Sequence, residues 1–152
     1  MAKQLQLRRG TTAANDLFTG ADGEVTVDTT NHSLRVHNGS TQGGYLVDTV
    51  VAFQRPSIDN NYTWYRKYAS GWVEQGGVTD GGTYNSPATI TMPITMNDTN
   101  YCLVLGVNGQ NQYSTTCAWK NKTTTTFQIE NGYNGSNAAA RITNWQVSGM
   151  AA

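Results

Sequence analysis

The chain has 152 residues, 38% of them hydrophobic and 13% charged, and its formal net charge is zero. Thr (22 residues), Asn (15) and Gly (16) are abundant, whereas Glu occurs only three times. Because Thr favours strands, and Asn and Gly favour turns, this composition excludes a helical bundle or a coiled coil and predicts an all-β protein. A chain without net charge also lacks the counterion release that drives strong nucleic-acid binding.

The N-terminal third contains short alternating segments typical of strands. These segments are Gln4–Arg8, Glu24–Asp28 and Ser33–His37. Residues 29–32 predict a hairpin turn, and the dipeptide Asn38-Gly39 predicts a second turn. Residues 13–18 predict one helical turn at most. No apolar run follows the N-terminus, so we expect neither a signal peptide nor membrane insertion.

Residues 1–47 are interpreted as a first domain with too few apolar positions to bury a core on its own. Both cysteines lie elsewhere, so no disulfide can stabilise this domain, and oligomerisation is the remaining solution. One alternating face from each subunit is then expected to meet on a symmetry axis. Its candidate core residues are Leu5, Leu7, Val25, Val27, Leu34 and Val36. The alternative is that these strands pack on the second domain.

Residues 48–61 are interpreted as a connector, in which Val50–Phe53 could add a strand, and residues 62–152 as an antiparallel β-sandwich. The predicted strands are Tyr62–Tyr68, Gly71–Gln75, Ala88–Met92, Asn100–Val107, Thr115–Lys120, Thr124–Glu130 and Arg141–Ser148. Loops rich in Gly, Asn and Ser separate them at Gly76–Pro87, Asn108–Ser114 and Asn131–Asn137.

Several side chains of the second domain are assigned to its interior. Trp119 alternates with Cys117 and is therefore predicted to lie in the core, and Trp72 and Trp145 are predicted in the core or at a subunit interface. Cys102 and Cys117 are interpreted as buried reduced thiols, with a cross-strand disulfide as the alternative.

No set of residues has the pattern of an active site or a metal site. Glu74 in a strand and Asp80 in a loop could form a pair of catalytic carboxylates, but nothing in their spacing singles them out. His32 and His37 are interpreted as surface or turn residues, and the second domain has no histidine for Ser–His–acid catalysis. We expect no enzymatic activity, no metal and no cofactor.

The loops of the second domain have a composition suited to recognition. Tyr offers a rigid amphipathic surface, and Asn and Ser provide adaptable hydrogen bonds. The candidate receptor-binding residues are Tyr84, Asn85, Asn108, Asn111, Tyr113, Tyr133 and Asn134.

Ordered sequence blocks in the first domain resemble the N-terminal β-prism domain of the phage major tropism determinant. The blocks are Leu5–Thr12, Phe18–Gly20, Gly23–Thr29, Leu34–Gly39 and Gly43-Gly44, within residues 4 to 46. This resemblance implies an intertwined homotrimer in which three copies form one prism.

The second domain looks like the C-terminal knob of a tail fibre. The blocks that carry this likeness are Gly71–Gly77, Ile90–Ile94, Tyr101–Leu105 and Trp145–Gly149. It does not resemble the C-type lectin domain of the tropism determinant, so no receptor-contacting position is transferred from that domain.

Together these features predict a homotrimeric phage tail-fibre protein that binds the bacterial host surface. Its expected partners are other virion tail proteins and a bacterial surface glycan or outer-surface protein, and its expected location is the virion, after assembly in the host cytoplasm. The alternative is a structural virion protein, such as a head decoration or baseplate component, without receptor binding.

Overall fold

The computed structural model describes residues 6–83, 85–107, 116–132 and 142–152, and it confirms an all-β fold. The chain divides into two compact units, Met1–Val51 with Tyr68–Ser70, and Ala52–Lys67 with Gly71–Ala152. We call them unit 1 and unit 2. The two helices of the described ranges, α1 (Thr12–Asp16) and a 3-10 turn (Ile58–Asn60), are single turns, far short of a membrane span.

Unit 1 contains a four-stranded sheet. Its strands, in spatial order, are β1 (Arg8–Gly10), β2 (Val25–Asp28), β3 (Ser33–Val36) and β4 (Tyr45–Val47). β1 runs parallel to β2, and the other two pairings are antiparallel. A parallel pairing needs a crossover, and α1 provides it, with the Thr11 hydroxyl accepting a hydrogen bond from the Ala14 amide (3.3 Å) at its N-terminus.

The two faces of this sheet differ sharply in chemistry. One face carries the buried polar side chains of Thr26, Asp28, Ser33, Arg35 and His37. The other carries apolar side chains that the single chain leaves partly exposed. In register these are Val25 opposite Val36, Val27 opposite Leu34, Leu34 opposite Val47, and Val36 opposite Tyr45.

His37 corrects the prediction of a surface histidine, because it is only 1% exposed. The Gly20 amide donates a hydrogen bond to its Nδ1 (3.2 Å), and its Nε2 lies 3.0 Å from the Thr26 hydroxyl. The Phe18 ring packs edge-on against the imidazole. His32 does lie in the predicted turn, with a left-handed backbone conformation (φ 51°). Buried polar positions of a strand alternate like apolar ones, so alternation alone could not reveal that His37 faces the interior.

Unit 2 is built mainly from two sheets. The three-stranded sheet has the order β10, β11, β8, and the five-stranded sheet has the order β5, β6, β7, β12, β9. The strands are β5 (Val50–Gln54), β6 (Trp64–Tyr68), β7 (Trp72–Asp80), β8 (Ala88–Thr91), β9 (Cys102–Val107), β10 (Thr116–Lys120), β11 (Thr126–Gly132) and β12 (Ile142–Met150). Of these strands, the terminal residues Val50, Val51 and Tyr68 fall in unit 1.

An apolar core forms between these two sheets. Its buried members are Ile90, Met92, Met96, Tyr101, Phe127, Ile129, Trp145 and Val147. Phe127 and Trp145 meet edge to face, with ring centroids 5.6 Å apart. This geometry adds about 1 kcal/mol to what the burial of the rings contributes. Trp145 thus confirms its predicted place in the core.

A buried glutamine joins two of the sequence blocks singled out above. The side-chain carbonyl of Gln75 accepts a hydrogen bond from the Ile94 amide (2.9 Å), and its side-chain amide donates to the Ile94 carbonyl (2.9 Å). Because Gln75 is fully buried, these bonds replace the water that its polar group would otherwise lose. The segment after β8 is thereby attached to β7.

β7 is longer than predicted. Residues Gly76 to Asp80, expected to begin a loop, continue the strand in register with β12, so Asp80 is the last residue of a strand and not a loop residue. A Cβ atom on Gly76 would lie 2.7 Å from the Trp145 carbonyl oxygen and 2.8 Å from Trp64 Nε1. The glycine is therefore a site of close packing inside a strand, not a turn signal.

Trp119 and Cys102 are more exposed than predicted, and Trp72 does not lie in the core, the first of its two predicted places. Trp119 faces the same side as Cys117, but it lies on β10 at the edge of its sheet and remains 51% exposed. Trp72 and Cys102 lie on the outer face of the five-stranded sheet, whereas Val73 and Val147 lie on its buried inner face. Both cysteines are free, and burial raises the pKa of the half-buried Cys117 thiol.

Candidate functional site

The strands of unit 2 bring the attachment points of the three predicted loops to one end. β7, β9 and β11 end there, and β8, β10 and β12 begin there. Ile142 is opposite Asp80, Thr143 is opposite Val107, and Thr116 is opposite Gly132. We call this the loop end of unit 2.

Two contacts connect the two sheets at the loop end. The side-chain amide of the buried Asn131 on β11 donates a hydrogen bond to the Thr143 hydroxyl on β12 (3.3 Å). Thr83 forms a bridge with Asn131 and another with Ser86. Gly82 allows the tight path of this segment, because it has a positive φ of 59° and a Cβ there would lie 2.2 Å from the Ala88 nitrogen. Asn131 was predicted to begin a loop, so its anchoring role was missed.

Of the predicted receptor-binding residues, Asn85 is described, and it is exposed within the turn between Thr83 and Ser86. The remaining six lie outside the described residues. They are Tyr84, Asn108, Asn111, Tyr113, Tyr133 and Asn134. The structure therefore describes the strand ends to which these loop segments are attached.

Unit 1 offers a second surface, the apolar face of its sheet. Four of the six predicted core residues lie on it in register, namely Val25, Val27, Leu34 and Val36, and Arg9 of β1 lies opposite Val27. Leu7 precedes β1 and is exposed. Leu5 lies outside the described residues. The face continues onto Tyr45 and Val47 of β4, a strand that the sequence reading missed.

The opposite face of this sheet is held by a buried ion pair. Asp28 is fully buried, and Arg35 Nη2 lies 3.1 Å from its Oδ2. The Thr12 hydroxyl donates to Asp28 Oδ1 (2.9 Å), as do the amides of Thr30 and Asn31 (3.1 Å each). Burial by itself would raise the pKa of Asp28, but these hydrogen bonds outweigh it and hold the pKa below its usual value.

The two carboxylates considered as a catalytic pair do not meet on β7. Glu74 and Asp80 lie six residues apart on this strand, which corresponds to about 20 Å at the usual rise per residue. Glycosidase pairs are separated by about 5 to 9.5 Å. Within the described ranges, no three His, Cys, Asp or Glu side chains are grouped so that they could hold a metal ion.

Comparison with known proteins agrees with the sequence blocks of unit 1. Residues 5–41 match the family model of the major tropism determinant N-terminal domain. A tail fiber receptor-binding protein of Bordetella phage BPP-1 is 35% identical over 162 aligned positions, which cover 93% of this chain. The chain resembles phage tail-fibre receptor-binding proteins. The predicted resemblance is thus confirmed, although the chain spans only 40% of the length of this curated relative.

Solved structures similar to this chain include a pyocin fibre and a variant of the major tropism determinant. The R2 pyocin fibre of P. aeruginosa is 20% identical, with 66% of this chain and 26% of that chain covered and a TM-score of 0.47. The P3c variant of the major tropism determinant is 22% identical, with 90% and 35% covered and a TM-score of 0.27.

Proposed function

We propose that this chain is the receptor-binding part of a phage tail fibre and that it attaches the virion to the bacterial surface as a homotrimer. The observation that carries the proposal is a combination found in one chain. A segment similar to the tropism determinant N-terminal domain has an apolar sheet face, and a second unit gathers three loop attachments at one end.

The apolar face of unit 1 supports the assembly part of the proposal. Leu34 is 38% exposed and Val36 is 40% exposed, although both alternate with fully or nearly buried polar residues. A contiguous apolar face is costly to leave in water, and a three-fold axis would cover it with the same face of two further subunits. The intertwined β-prism implied by the resemblance is an arrangement of this kind.

The loop end of unit 2 supports the recognition part. Loops held by a rigid framework are the usual place for binding residues, and the three segments that leave this end carry the predicted tyrosines and asparagines. Tyr84, Asn85, Asn108, Asn111, Tyr113, Tyr133 and Asn134 are proposed to contact a bacterial surface glycan or an outer-surface protein.

Adhesion by such a trimer would be reversible, multivalent and without catalysis. Three weak sites on one assembly raise the apparent affinity without any new contact. The chain as a whole has no net charge, which reduces nonspecific electrostatic binding. In this proposal the protein is a virion component that docks on other tail proteins, after its assembly in the host cytoplasm.

The test is binding of fluorescently labelled protein to intact bacteria, with the mass in solution measured on the same sample. A trimer that binds some strains and not others is expected. A trimer that binds no strain in a panel including hosts of the phage would contradict receptor binding and favour a structural virion role. A monomer that remains folded would contradict the assembly part.

A further inference from the structure

The outer face of the five-stranded sheet carries a groove of about 480 Å³ that lies entirely within unit 2. This volume is within the range of ligand-binding clefts. The side chains that matter for its chemistry are Tyr62, Trp64, Val104, Asn144 and Gln146, together with the backbone of Gly106.

The register of the sheet explains why a groove forms here. On this face, one row runs from Trp64 on β6 through Gly76 on β7 to Gln146 on β12. Gly76 has no side chain, and the indole of Trp64 fills the place where one would be. In the neighbouring row, Gly106 lies opposite Asn144, and a Cβ at Gly106 would meet no atom within 4 Å. Gly106 lowers the floor of the groove, and the ring of Trp64, which lies over Gly76, forms one wall.

Two amide side chains offer hydrogen bonds in the groove. Asn144 and Gln146 lie on β12 at exposed positions that alternate with the buried Thr143, Trp145 and Val147. Within the described part of the chain, neither amide has a hydrogen-bond partner, and neither does the indole N–H of Trp64. Each amide supplies two donor hydrogens and one acceptor oxygen. None of the residues that line the groove carries a charge.

A second hollow of about 430 Å³ extends this surface. It shares Tyr62 and Val78 with the groove and continues to Asp80 and Ile142 at the loop end. The two hollows together form an elongated path across the sheet. Such a path fits a chain of several linked rings better than a single small molecule.

We infer that this groove binds a neutral saccharide chain. A sugar ring has an apolar C–H face, which the rings of Trp64 and Tyr62 can cover, and a rim of hydroxyls, which the amides of Asn144 and Gln146 can bind. The groove offers no cation to pair with an acidic group, and Asp80 in the second hollow would repel one, so a neutral chain fits this surface better. This inference rests on the proposed function and deepens it by placing a glycan contact on the sheet, beside the loops.

The test uses the full chain and an array of neutral oligosaccharides built from glucose, galactose, mannose, rhamnose and N-acetylglucosamine. Gly106→Phe places a ring in the open floor of the groove, where the missing contacts leave room for it, so the fold is retained. Thr91→Phe is the matched control, because Thr91 is exposed at the end of β8 on the other sheet. Circular dichroism and mass in solution verify that both variants are folded.

The expected result is that the unmodified chain binds at least one neutral oligosaccharide. Gly106→Phe should weaken this binding at least about tenfold, a loss of about 1.4 kcal/mol, and Thr91→Phe should leave it unchanged. Trp64→Ala should weaken binding in the same direction.

Other outcomes would overturn the inference. One is the absence of binding to every neutral oligosaccharide, and another is equal binding by Gly106→Phe and the unmodified chain. A third is a Gly106→Phe variant that changes its subunit number but still binds the glycan, which would assign the groove to a second copy of the chain. Attachment to bacteria is measured in parallel. If the unmodified chain attaches to cells and Gly106→Phe binds glycan and cells as well as Thr91→Phe does, the assignment of the glycan to the groove is wrong and the proposed function stands. If the unmodified chain attaches to no cells, the proposed function has failed as well.

Discussion

The guanidinium of Arg35 lies 3.1 Å from the carboxylate of Asp28, and the Asp28 side chain is completely buried. Arg35 also reaches Asp16 (2.7 Å) and the Gly43 carbonyl (3.0 Å). One arginine thus connects β3 with the end of β2, with α1 and with the turn before β4. In a unit with almost no apolar core of its own, this network defines the inner side of the sheet.

Asp28→Asn should destabilise unit 1, because it leaves the buried guanidinium of Arg35 without its main counter-charge. Removing one partner of a buried pair typically costs about 3 to 5 kcal/mol. We expect a loss of about 3 kcal/mol in the free energy of unfolding, since Asp16 continues to balance part of the charge. Urea unfolding at a fixed protein concentration measures it. Asp22→Asn, at an exposed turn position, is the control, and an equal effect of the two substitutions would contradict the role of the network.

The same pair makes unit 1 sensitive to acid. The pKa of Asp28 is lower in the folded than in the unfolded chain, so the unfolded state binds more protons as the pH falls. Its contribution to stability is therefore complete above the unfolded pKa of about 3.9. It decreases as the pH falls below that value towards the folded pKa. Thermal unfolding between pH 7 and pH 3 should show this decrease, and Asp28→Asn should flatten it.

Val27→Asp should dissociate the assembly or unfold unit 1, because it places a charge in the middle of the apolar face. Arg9 on β1 lies opposite Val27 in register, but the desolvation of two charges between subunits costs more than one such pair returns. Sedimentation at low protein concentration measures the subunit number. Ala13→Asp, exposed in the first turn of α1, is the control, since an acidic residue is tolerated there. A folded Val27→Asp trimer would place the subunit contact elsewhere.

Gly76→Ala should lower the stability of the protein, whereas Gly106→Ala in the same sheet should leave it nearly unchanged. The added methyl at Gly76 would meet the Trp145 carbonyl and the Trp64 ring at less than 3 Å, whereas Gly106 has nothing within 4 Å. Overpacking of this kind costs about 1 to 3 kcal/mol. The midpoint of chemical unfolding should fall for Gly76→Ala and stay nearly constant for Gly106→Ala. Equal midpoints would show that the sheet relaxes around the added methyl.

Tyr113→Ala together with Tyr133→Ala should weaken attachment to host cells without lowering the thermal midpoint. Both residues belong to the segments that leave the loop end, and we propose that they contact the receptor. Phe53→Ala, an exposed aromatic position on β5, is the control. Unchanged attachment by the double variant would move the receptor contact away from these loops.

Alternation and turn chemistry were sufficient to predict most strands and the apolar face of unit 1, because both depend on local rules. Residues whose role is set by distant partners were misjudged. The sequence pattern places Gly76 in a loop, whereas in the structure the Trp145 carbonyl and the Trp64 ring occupy the space of its missing side chain. His37 was predicted to be a surface residue, but in the structure it is buried and hydrogen-bonded to Gly20 and Thr26. Trp119 has the correct face, but a single sequence does not reveal that β10 is an edge strand. The groove combines residues from β6, β7, β9 and β12, whose order in the sheet is not the order of the chain.

The place of β12 has a consequence for synthesis. This strand lies between β7 and β9. It pairs with β7 along its whole length and with β9 over Thr143–Ser148, so the five-stranded sheet has a gap until β12 has been made. A ribosome adds about 5 to 20 residues per second, so β7 waits several seconds for its neighbour. During that time, the backbone groups of β7 and β9 that later pair with β12 are open to strands of other nascent chains. Neighbouring ribosomes on one messenger would therefore favour misassembly, and a chaperone that covers these open strand edges should raise the yield of folded protein.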